Sequence, residues 1–162
     1  MKKILLLGGS QQQVVAIEKA KQLGYETVLC DYLPDNPGRL VADRFYQVST
    51  TDKEAVMAVA VQEHVDGILA YASDPAAPTA AYVAEKLGLP GNPSRSVEIL
   101  CNKDLFRQYL AGHGFHTPKA VSVLGADDFP EDLAQMRWPL IVKPVDSSGS
   151  KGVSLVSSGE QL

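Results

Sequence analysis

Residues 138–156, WPLIVKPVDSSGSKGVSLV, place two short runs of β-forming residues on either side of a loop rich in glycine and serine. The runs Leu140 to Val142 and Val153 to Val156 predict two strands of a hairpin that closes over Asp146 to Gly152. The loop glycines allow backbone angles that other residues avoid, and the serine hydroxyls add donors to the exposed N–H groups. The stretch therefore indicates a loop that can wrap an anion, with an ordinary solvated hairpin loop as the alternative.

Two lysines supply positive charge to this loop. Lys143 stands at its entry and Lys151 lies within it. Positive charge and N–H donors together are what a phosphate group requires. The candidate anion-binding residues of the loop are Lys143, Ser147, Ser148, Gly149, Ser150, Lys151 and Gly152.

The overall composition is that of an ordinary globular chain of one or two small domains. Of its 162 residues, 45% are hydrophobic and 21% are charged, which is sufficient to bury a core. The net charge of -4 and the pI near 5.3 leave no basic surplus that could neutralise phosphates in bulk. We expect no nucleic-acid or membrane partner, so any phosphate chemistry must be local. A homo-oligomer is compatible with the sequence.

Cysteine and histidine usage indicates neither a disulfide scaffold nor a metal site. Cys30 and Cys101 each lie within an apolar run, where a free cysteine packs as a small hydrophobe, so a reducing cytoplasmic location is expected. The apolar run in MKKILLLGG is too short for a signal peptide or a membrane span. Metal-ligand spacing is also missing among the three histidines, His64, His113 and His116.

Residues 3–93 alternate short aliphatic runs with helical stretches, as in an α/β fold with an open parallel sheet and helices on both faces. Strands are predicted at Lys3 to Leu7, Thr27 to Asp31, Phe45 to Val48 and Gly67 to Ala70. Helices are predicted near Ser10 to Leu23, Asp52 to His64 and Pro75 to Leu87. Two of them are followed by a glycine suited to a left-handed cap, Gly24 and Gly88.

Ligands of open α/β sheets lie beyond the carboxyl ends of the strands. For Gly8 and Gly9 the alternative is a tight turn between strand and helix, and for Ser10 and Asp74 it is helix N-capping. The candidates at this edge are Gly8, Gly9, Ser10, Asp31, Tyr32, Ser73 and Asp74.

The segment LPGNP at residues 89–93 ends the first domain. Connecting helices are expected over residues 94–114, the second of them with Asn102 as its N-cap. Lys103 then lies in the first turn, where the helix dipole disfavours a cation. Its position indicates either a nearby anion or an exposed lysine that tolerates a small cost.

Residues 115–162 predict the beginning of a second, α+β unit. A strand at Lys119 to Val123 and a surface helix at Asp127 to Met136 precede the hairpin. These strands are too few to close a sheet, so we expect the natural protein to continue beyond Leu162 or another chain to complete the sheet.

The joint order of NKDLFRQYLAGHGFHTPKAVSV, residues 102–123, and PLIVKPVDSSGSKGV, residues 139–153, resembles the ATP-grasp superfamily. This superfamily includes biotin carboxylase, carbamoyl-phosphate synthetase and D-alanine-D-alanine ligase, and the flap SSGSKGV is most similar to that of carbamoyl-phosphate synthetase. The resemblance implies a Rossmann-like pre-ATP-grasp domain at residues 1–93, followed at residues 115–162 by a truncated nucleotide-binding lobe.

The same resemblance implies the roles of individual residues. Lys103 and Lys143 would contact the phosphates of ATP, and Ser147 to Gly152 would form a flap over them. Gly9, Ser10 and Asp74 would help to shape the site of the acceptor substrate. Enzymes of this superfamily convert a carboxylate to an acyl phosphate that an amine or another nucleophile attacks, so small-molecule carboxylates and amines are the expected partners.

The resemblance also implies Mg²⁺, whose ligands in this superfamily lie after the flap. Only Glu160 is present there as a carboxylate, and a single carboxylate does not make a magnesium site. Residues 1–162 alone are therefore expected not to turn over ATP, even where the complete protein is an active ligase.

Two other functions remain compatible with the sequence. A dinucleotide-binding module would use LLLGGSQQQ and Asp31, but the G-x-G-x-x-G pattern needs glycine at positions where Ser10 and Gln13 stand. An NAD(P) site is kept as an alternative because Asp31 follows a second strand at a suitable distance. The other alternative is a non-catalytic α/β interaction domain, in which the lysines are ordinary surface residues.

Overall fold

The computed structural model describes residues 1–125, 130–147 and 149–161. They form two compact units, Met1–Val97 and Glu98–Leu162. Within the described ranges, no helix combines the length and the apolar character that a membrane span needs.

The first unit contains a four-stranded parallel sheet. Its strands are β1 (Lys3–Leu7), β2 (Glu26–Asp31), β3 (Arg44–Gln47) and β4 (Gly67–Leu69). They lie in the order β3-β2-β1-β4, with β1 paired to β2 and β4 in parallel register. The open parallel sheet predicted from the alternating aliphatic runs is confirmed.

Helices cover both faces of this sheet, as predicted. The helices are α1 (Gln11–Gln22), α2 (Lys53–Glu63) and α3 (Ala77–Leu87), and a 3-10 helix spans Pro37–Leu40. Because side chains alternate along a strand, Leu6 and Leu29 pack with Ile17 of α1 in one cluster. Leu5 and Val28 point to the opposite face, where they join Val56 of α2 and Val83 of α3.

Left-handed residues end two of these helices where the sequence predicted them. Gly88 caps α3 with a φ of 64°, and Gly24 follows α1 with a φ of 83°. Glycine adopts this conformation without the clash that a Cβ would cause. The turn at Gly24 leads into β2, and the turn at Gly88 leads into residues 89–93.

A cluster of charged and polar side chains lies at the amino ends of the strands. The carboxylate of Glu63, only 3% exposed, lies 3.0 Å from the Lys3 ammonium and 3.0 Å from the Arg44 guanidinium. It also accepts a hydrogen bond from the Tyr46 hydroxyl. This bond, with those from Lys3 and Arg44, lowers the pKa of Glu63 to about 2, and it raises the pKa of Tyr46. The cluster is at the edge opposite to the one where open α/β sheets bind ligands.

One helix spans the boundary between the two units, and the second unit contains a further helix and a hairpin. Helix α4 (Ser94–Cys101) is followed by α5 (Lys103–Gly112), whose N-cap is Asn102 as predicted. Strands β5 (Leu140–Val142) and β6 (Ser154–Val156) pair antiparallel, with Ile141 opposite Leu155. The predicted hairpin is therefore confirmed. A short 3-10 turn, Gly159–Gln161, follows β6.

Two predictions for the second unit are wrong in the described ranges. Residues 119–123 form no strand, because no neighbouring strand among the described residues pairs with their backbone groups. The helix predicted over 127–136 is a 3-10 helix at Glu131–Gln135, since Pro130 interrupts the segment. Residues 127–129 of that prediction lie outside the described residues.

Candidate functional site

The hairpin loop between β5 and β6 contains several left-handed backbone conformations. Three of its residues lie in the left-handed region, Gly149 at φ 66°, Ser150 at 57° and Gly152 at 70°. Gly149 and Ser150 are consecutive, so the loop departs from the strict alternation of left- and right-handed residues that forms an anion-binding nest. The binding of phosphate by this loop therefore stays a prediction.

The base of this loop is fixed by Lys103. The Asn102 side chain accepts from the N–H groups of Asp104 and Leu105, both at 3.0 Å, which places Lys103 at the first position of α5. The Lys103 N–H donates to the Val145 carbonyl at 2.9 Å. Its ammonium group donates to the same carbonyl at 3.5 Å and to the carbonyl of Ser147. The cation predicted to contact phosphate thus lies where the loop leaves β5.

Other contacts close the loop on itself. The Ser147 hydroxyl donates to the Lys151 carbonyl at 2.9 Å. A Cβ at Gly152 would lie 2.9 Å from Cγ of Pro144, so only glycine fits there without a shift. Lys143 and Lys151 are exposed and pair with no acidic side chain of the described ranges. Ser148, also predicted for this site, lies outside the described residues.

At the carboxyl ends of the first sheet, Asp31 holds the turn after β1. Its carboxylate accepts from the Gly9 N–H at 2.7 Å and from the Leu33 N–H at 2.9 Å. Asp31 is 7% exposed. Both oxygens therefore serve backbone donors, which removes the argument that Asp31 is available to bind the ribose of a dinucleotide.

The two glycines of this turn are needed for close packing. A Cβ at Gly8, where φ is 102°, would lie 2.2 Å from the Gln13 side chain. A Cβ at Gly9 would lie 2.0 Å from the Asn36 side chain. The Gly9 carbonyl accepts from the Gly38 N–H at 2.8 Å. The turn is thus filled by the protein, and the tight-turn interpretation of these glycines explains the packing.

Ser10 and Asp74 differ in their hydrogen bonding to the rest of the described protein. Ser10 is the exposed N-cap of α1, and its N–H and hydroxyl both donate to Oε1 of Gln13, at 3.0 and 2.8 Å. Asp74 is exposed, and α3 begins after Ala76, so Asp74 is not the N-cap that one interpretation made it. The Asp74 carboxylate accepts no hydrogen bond from the described residues, which leaves it available to a ligand. Ala72 lies nearby in the chain with a left-handed φ of 51°.

Sequence reasoning missed two buried amides that support this edge. Gln13 is 6% exposed and Asn36 is 5% exposed. Asn36 accepts from the Arg39 N–H at 2.9 Å, where it begins the 3-10 helix beside Gly9. The pattern Ser10-x-x-Gln13 was a detectable signal, because serine followed three residues later by glutamine is typical of a capping box.

The described ranges hold no metal-ligand cluster, and the buried thiol of Cys30 is not activated. Groups of three or more metal-ligating side chains are missing from these ranges. Burial, assisted by Asp31, raises the pKa of the Cys30 thiol to about 12, which suppresses the reactive thiolate.

Comparison with known proteins finds a matching family model and similar curated proteins. Residues 17–91 match the family model of the ATP-grasp N-terminal domain. The chain is 31% identical over 99% of its length to a formate-dependent phosphoribosylglycinamide formyltransferase of Synechococcus sp. (strain WH7803), of which it covers 41%. It is 32% identical to the protein of that name from Bacteroides thetaiotaomicron, of which it covers 42%. The chain spans about two fifths of the length of these curated relatives.

Solved structures are also similar to this chain over nearly its whole length. The L-amino acid ligase of Bacillus licheniformis superposes with a TM-score of 0.74 at 29% identity, over 99% of this chain and 40% of that one. The N5-carboxyaminoimidazole synthetase of Staphylococcus aureus, complexed with ADP, gives a TM-score of 0.76 at 23% identity, over 99% of this chain and 42% of that one. The second likeness concerns the fold alone.

Proposed function

We propose a function on the premise that this chain belongs to the ATP-grasp superfamily and corresponds to the N-terminal part of its ligases. Residues 1–162 supply one wall of an ATP site and part of an acceptor site. The complete protein joins a carboxylate to an amine or another nucleophile through an acyl phosphate formed from ATP. Both substrates are small molecules, and the lack of a disulfide at Cys30 and Cys101 fits a cytoplasmic location.

The observation that carries this proposal is the position of Lys103 at the base of the hairpin loop. Its ammonium group lies against the carbonyls of Val145 and Ser147, next to a turn with three left-handed residues. A cation beside a row of N–H donors can disperse the negative charge of a triphosphate. Lys143 and Lys151 are exposed and free to add charge when nucleotide binds.

Closure of residues 147–152 over the nucleotide excludes water that would compete for the transferred phosphoryl group. This flap joins two strands and does not begin a helix, so a helix dipole contributes little to the binding of phosphate. Lysine charge therefore accounts for more of the affinity than it does in loops that begin a helix.

The acceptor half of the proposal uses Gly9, Ser10 and Asp74. Ser10 and Asp74 are exposed at the carboxyl edge of the sheet, and the Asp74 carboxylate can accept a hydrogen bond from an amine. Gly9 contributes by position only, because its N–H is bound by Asp31. The name of one relative includes glycinamide and that of another an amino acid, and both of these molecules carry amines.

Mg²⁺ does not fit the described residues. A magnesium ion takes oxygen ligands from carboxylates together with substrate phosphates, and the described ranges bring no such group together. Within residues 1–162 as described, the contribution to ATP binding comes from lysine charge and backbone N–H groups.

A nucleotide titration tests the phosphate half. ATP added to the isotopically labelled chain is expected to shift the amide signals of Lys103, Lys143 and residues 149–152, and Lys143→Ala is expected to weaken binding about fivefold or more. Lys119→Ala is the matched control, since Lys119 is exposed and contacts Gln135 at 3.5 Å and Asp132 at 4.0 Å, both outside the loop. Equal affinity in both variants, or a response to NAD but not to ATP, would overturn the assignment.

A turnover assay of the complete protein tests the reaction class. Release of ADP and phosphate is expected only when a carboxylate and an amine are both supplied, and hydroxylamine should trap the acyl phosphate as a hydroxamate. Turnover of ATP without trapping by hydroxylamine, across a panel of amino acids and small carboxylates, would contradict an acyl phosphate.

A further inference from the structure

One buried side chain joins the two loops that carry the proposed acceptor residues. The amide nitrogen of Gln13 donates to the Tyr71 carbonyl at 3.0 Å and to the Leu7 carbonyl at 3.3 Å. Its amide oxygen accepts from the N–H of Ser10 at 3.0 Å and from the hydroxyl of Ser10 at 2.8 Å. A single side chain therefore bonds to the end of β1, to the N-cap of α1 and to the loop after β4.

The Tyr71 carbonyl is the point at which this bridge can control the second loop. Ala72 follows directly with a φ of 51°, a conformation that costs an alanine about 1 kcal/mol or more. The next residues, Ser73 and Asp74, lead into α3, and the Ser73 carbonyl accepts from the Ala77 N–H at 3.1 Å. A strained backbone persists where surrounding bonds fix it. The hydrogen bond from Gln13 fixes the carbonyl of Tyr71, the residue directly before the strained Ala72.

We infer that Gln13 is a positioning residue that sets the separation and orientation of Ser10 and Asp74, the two exposed polar residues of the acceptor site. The acceptor site that Gln13 would serve rests on the proposed function. The hydrogen bonds of Gln13 themselves can be tested without any substrate. Gln13 touches no substrate in this assignment and acts through the two loops.

Only an amide can make this bridge. The oxygen must accept from Ser10 while the nitrogen donates to two carbonyls, so an ionised glutamate keeps the first half and loses the second. Methionine has a similar length and loses both halves. Comparison of Gln13→Glu with Gln13→Met thus separates the support of Ser10 from the support of the loop after β4.

The test is amide hydrogen exchange of the labelled 162-residue chain. Gln13→Glu is expected to speed exchange of the Ala76 and Ala77 amides about tenfold, because loss of the bond to the Tyr71 carbonyl frees the loop by roughly 1.4 kcal/mol. The Ser10 amide should stay protected in Gln13→Glu and lose protection in Gln13→Met. Core amides of Leu5 and Val28 should change little in either variant.

Gln12→Met is the matched control, because Gln12 is exposed and has no partner in the described ranges. Uniform acceleration across the sheet, or unchanged exchange at Ala76 and Ala77, would overturn the assignment. In turnover assays of the complete protein, Gln13→Glu should raise the KM for the acceptor about tenfold and leave the KM for ATP unchanged. Equal changes in both constants would also overturn it, whereas a protein without turnover would refute the proposed function and leave the exchange result standing.

Discussion

The Gly9 N–H donates to the buried carboxylate of Asp31 over 2.7 Å, so the end of β2 holds the turn that follows β1. The same carboxylate accepts from the Leu33 N–H, and together these bonds fix two loops at the carboxyl edge of the sheet. Asp31 has the position expected of a ribose-binding residue, but its carboxylate accepts hydrogen bonds from backbone N–H groups. The role of Asp31 is therefore structural.

Asp31→Asn is expected to destabilise the first unit by about 2 kcal/mol, because one of the two backbone donors would then face an amide N–H group. The effect is measured by urea unfolding followed with far-UV circular dichroism. Asp35→Asn is the control, since Asp35 is exposed nearby and has no partner in the described ranges. Equal stability of the two variants would show that the Asp31 bonds contribute little.

Glu63 makes stability depend on acid pH. Its pKa in the folded chain is about 2, below the ordinary value of 4.5, so its contribution is complete above pH 4.5 and is lost as the pH falls toward 2. Asp43, whose pKa the hydrogen bond from Lys21 lowers to about 2, adds a loss in the same window. Glu63→Gln should therefore cost about 1–2 kcal/mol at pH 7 and should flatten the decline in stability between pH 4.5 and 2.

Urea unfolding at a series of pH values measures this prediction. Glu18→Gln, at an exposed carboxylate without a partner in the described ranges, should keep the slope of the parent chain. A Glu63→Gln profile parallel to that of the parent would contradict the role of Glu63.

Gly152→Ala is expected to distort the hairpin loop. The new Cβ would meet Pro144 at 2.9 Å in a backbone with a φ of 70°, which costs about 1–2 kcal/mol. Urea unfolding followed by the fluorescence of Trp138 measures the loss in the second unit. Gly125→Ala is the control, because a Cβ there meets nothing within 4 Å. Similar losses in the two variants would contradict a special requirement at Gly152.

Ala72→Gly should stabilise the first unit by about 0.5 kcal/mol, since relief of the left-handed strain exceeds the added entropy of the unfolded chain. Ala72→Val should destabilise it, because a β-branched residue tolerates this conformation least. Thermal unfolding of the two variants measures the difference. A loss of stability in both would show that Ala72 is not strained.

The sequence was sufficient for elements with strong local signals. Strand β1 and the β5–β6 hairpin were predicted because aliphatic runs next to glycine-rich turns restrict the backbone locally. The second connecting helix, observed at Lys103–Gly112, was predicted from Asn102 as its N-cap. The strand predicted at residues 119–123 was wrong. Alternation of apolar and polar residues shows that a segment can form a strand, but it does not reveal whether a neighbouring strand is present to pair with it.

The supports of the candidate site could not be predicted because they join distant parts of the chain. The bond from Gln13 to the Tyr71 carbonyl spans 58 positions, and the bond from Lys103 to the Ser147 carbonyl spans 44. Residue type gave candidates such as Lys103 and Asp31, but only the fold shows that the Asp31 carboxylate is already occupied by backbone donors.

The contact between Gly9 and Gly38 has an evolutionary consequence. A Cβ at Gly38 would lie 2.7 Å from the Cα of Gly9, and a Cβ at Gly9 would collide with Asn36. Neither glycine can be replaced without moving the other loop, so both positions should remain glycine wherever this turn is kept. Gly-Ser at residues 9–10 with Asn-Pro-Gly at residues 36–38 then forms a split signature by which descendants of this turn can be traced in chains whose flaps have diverged.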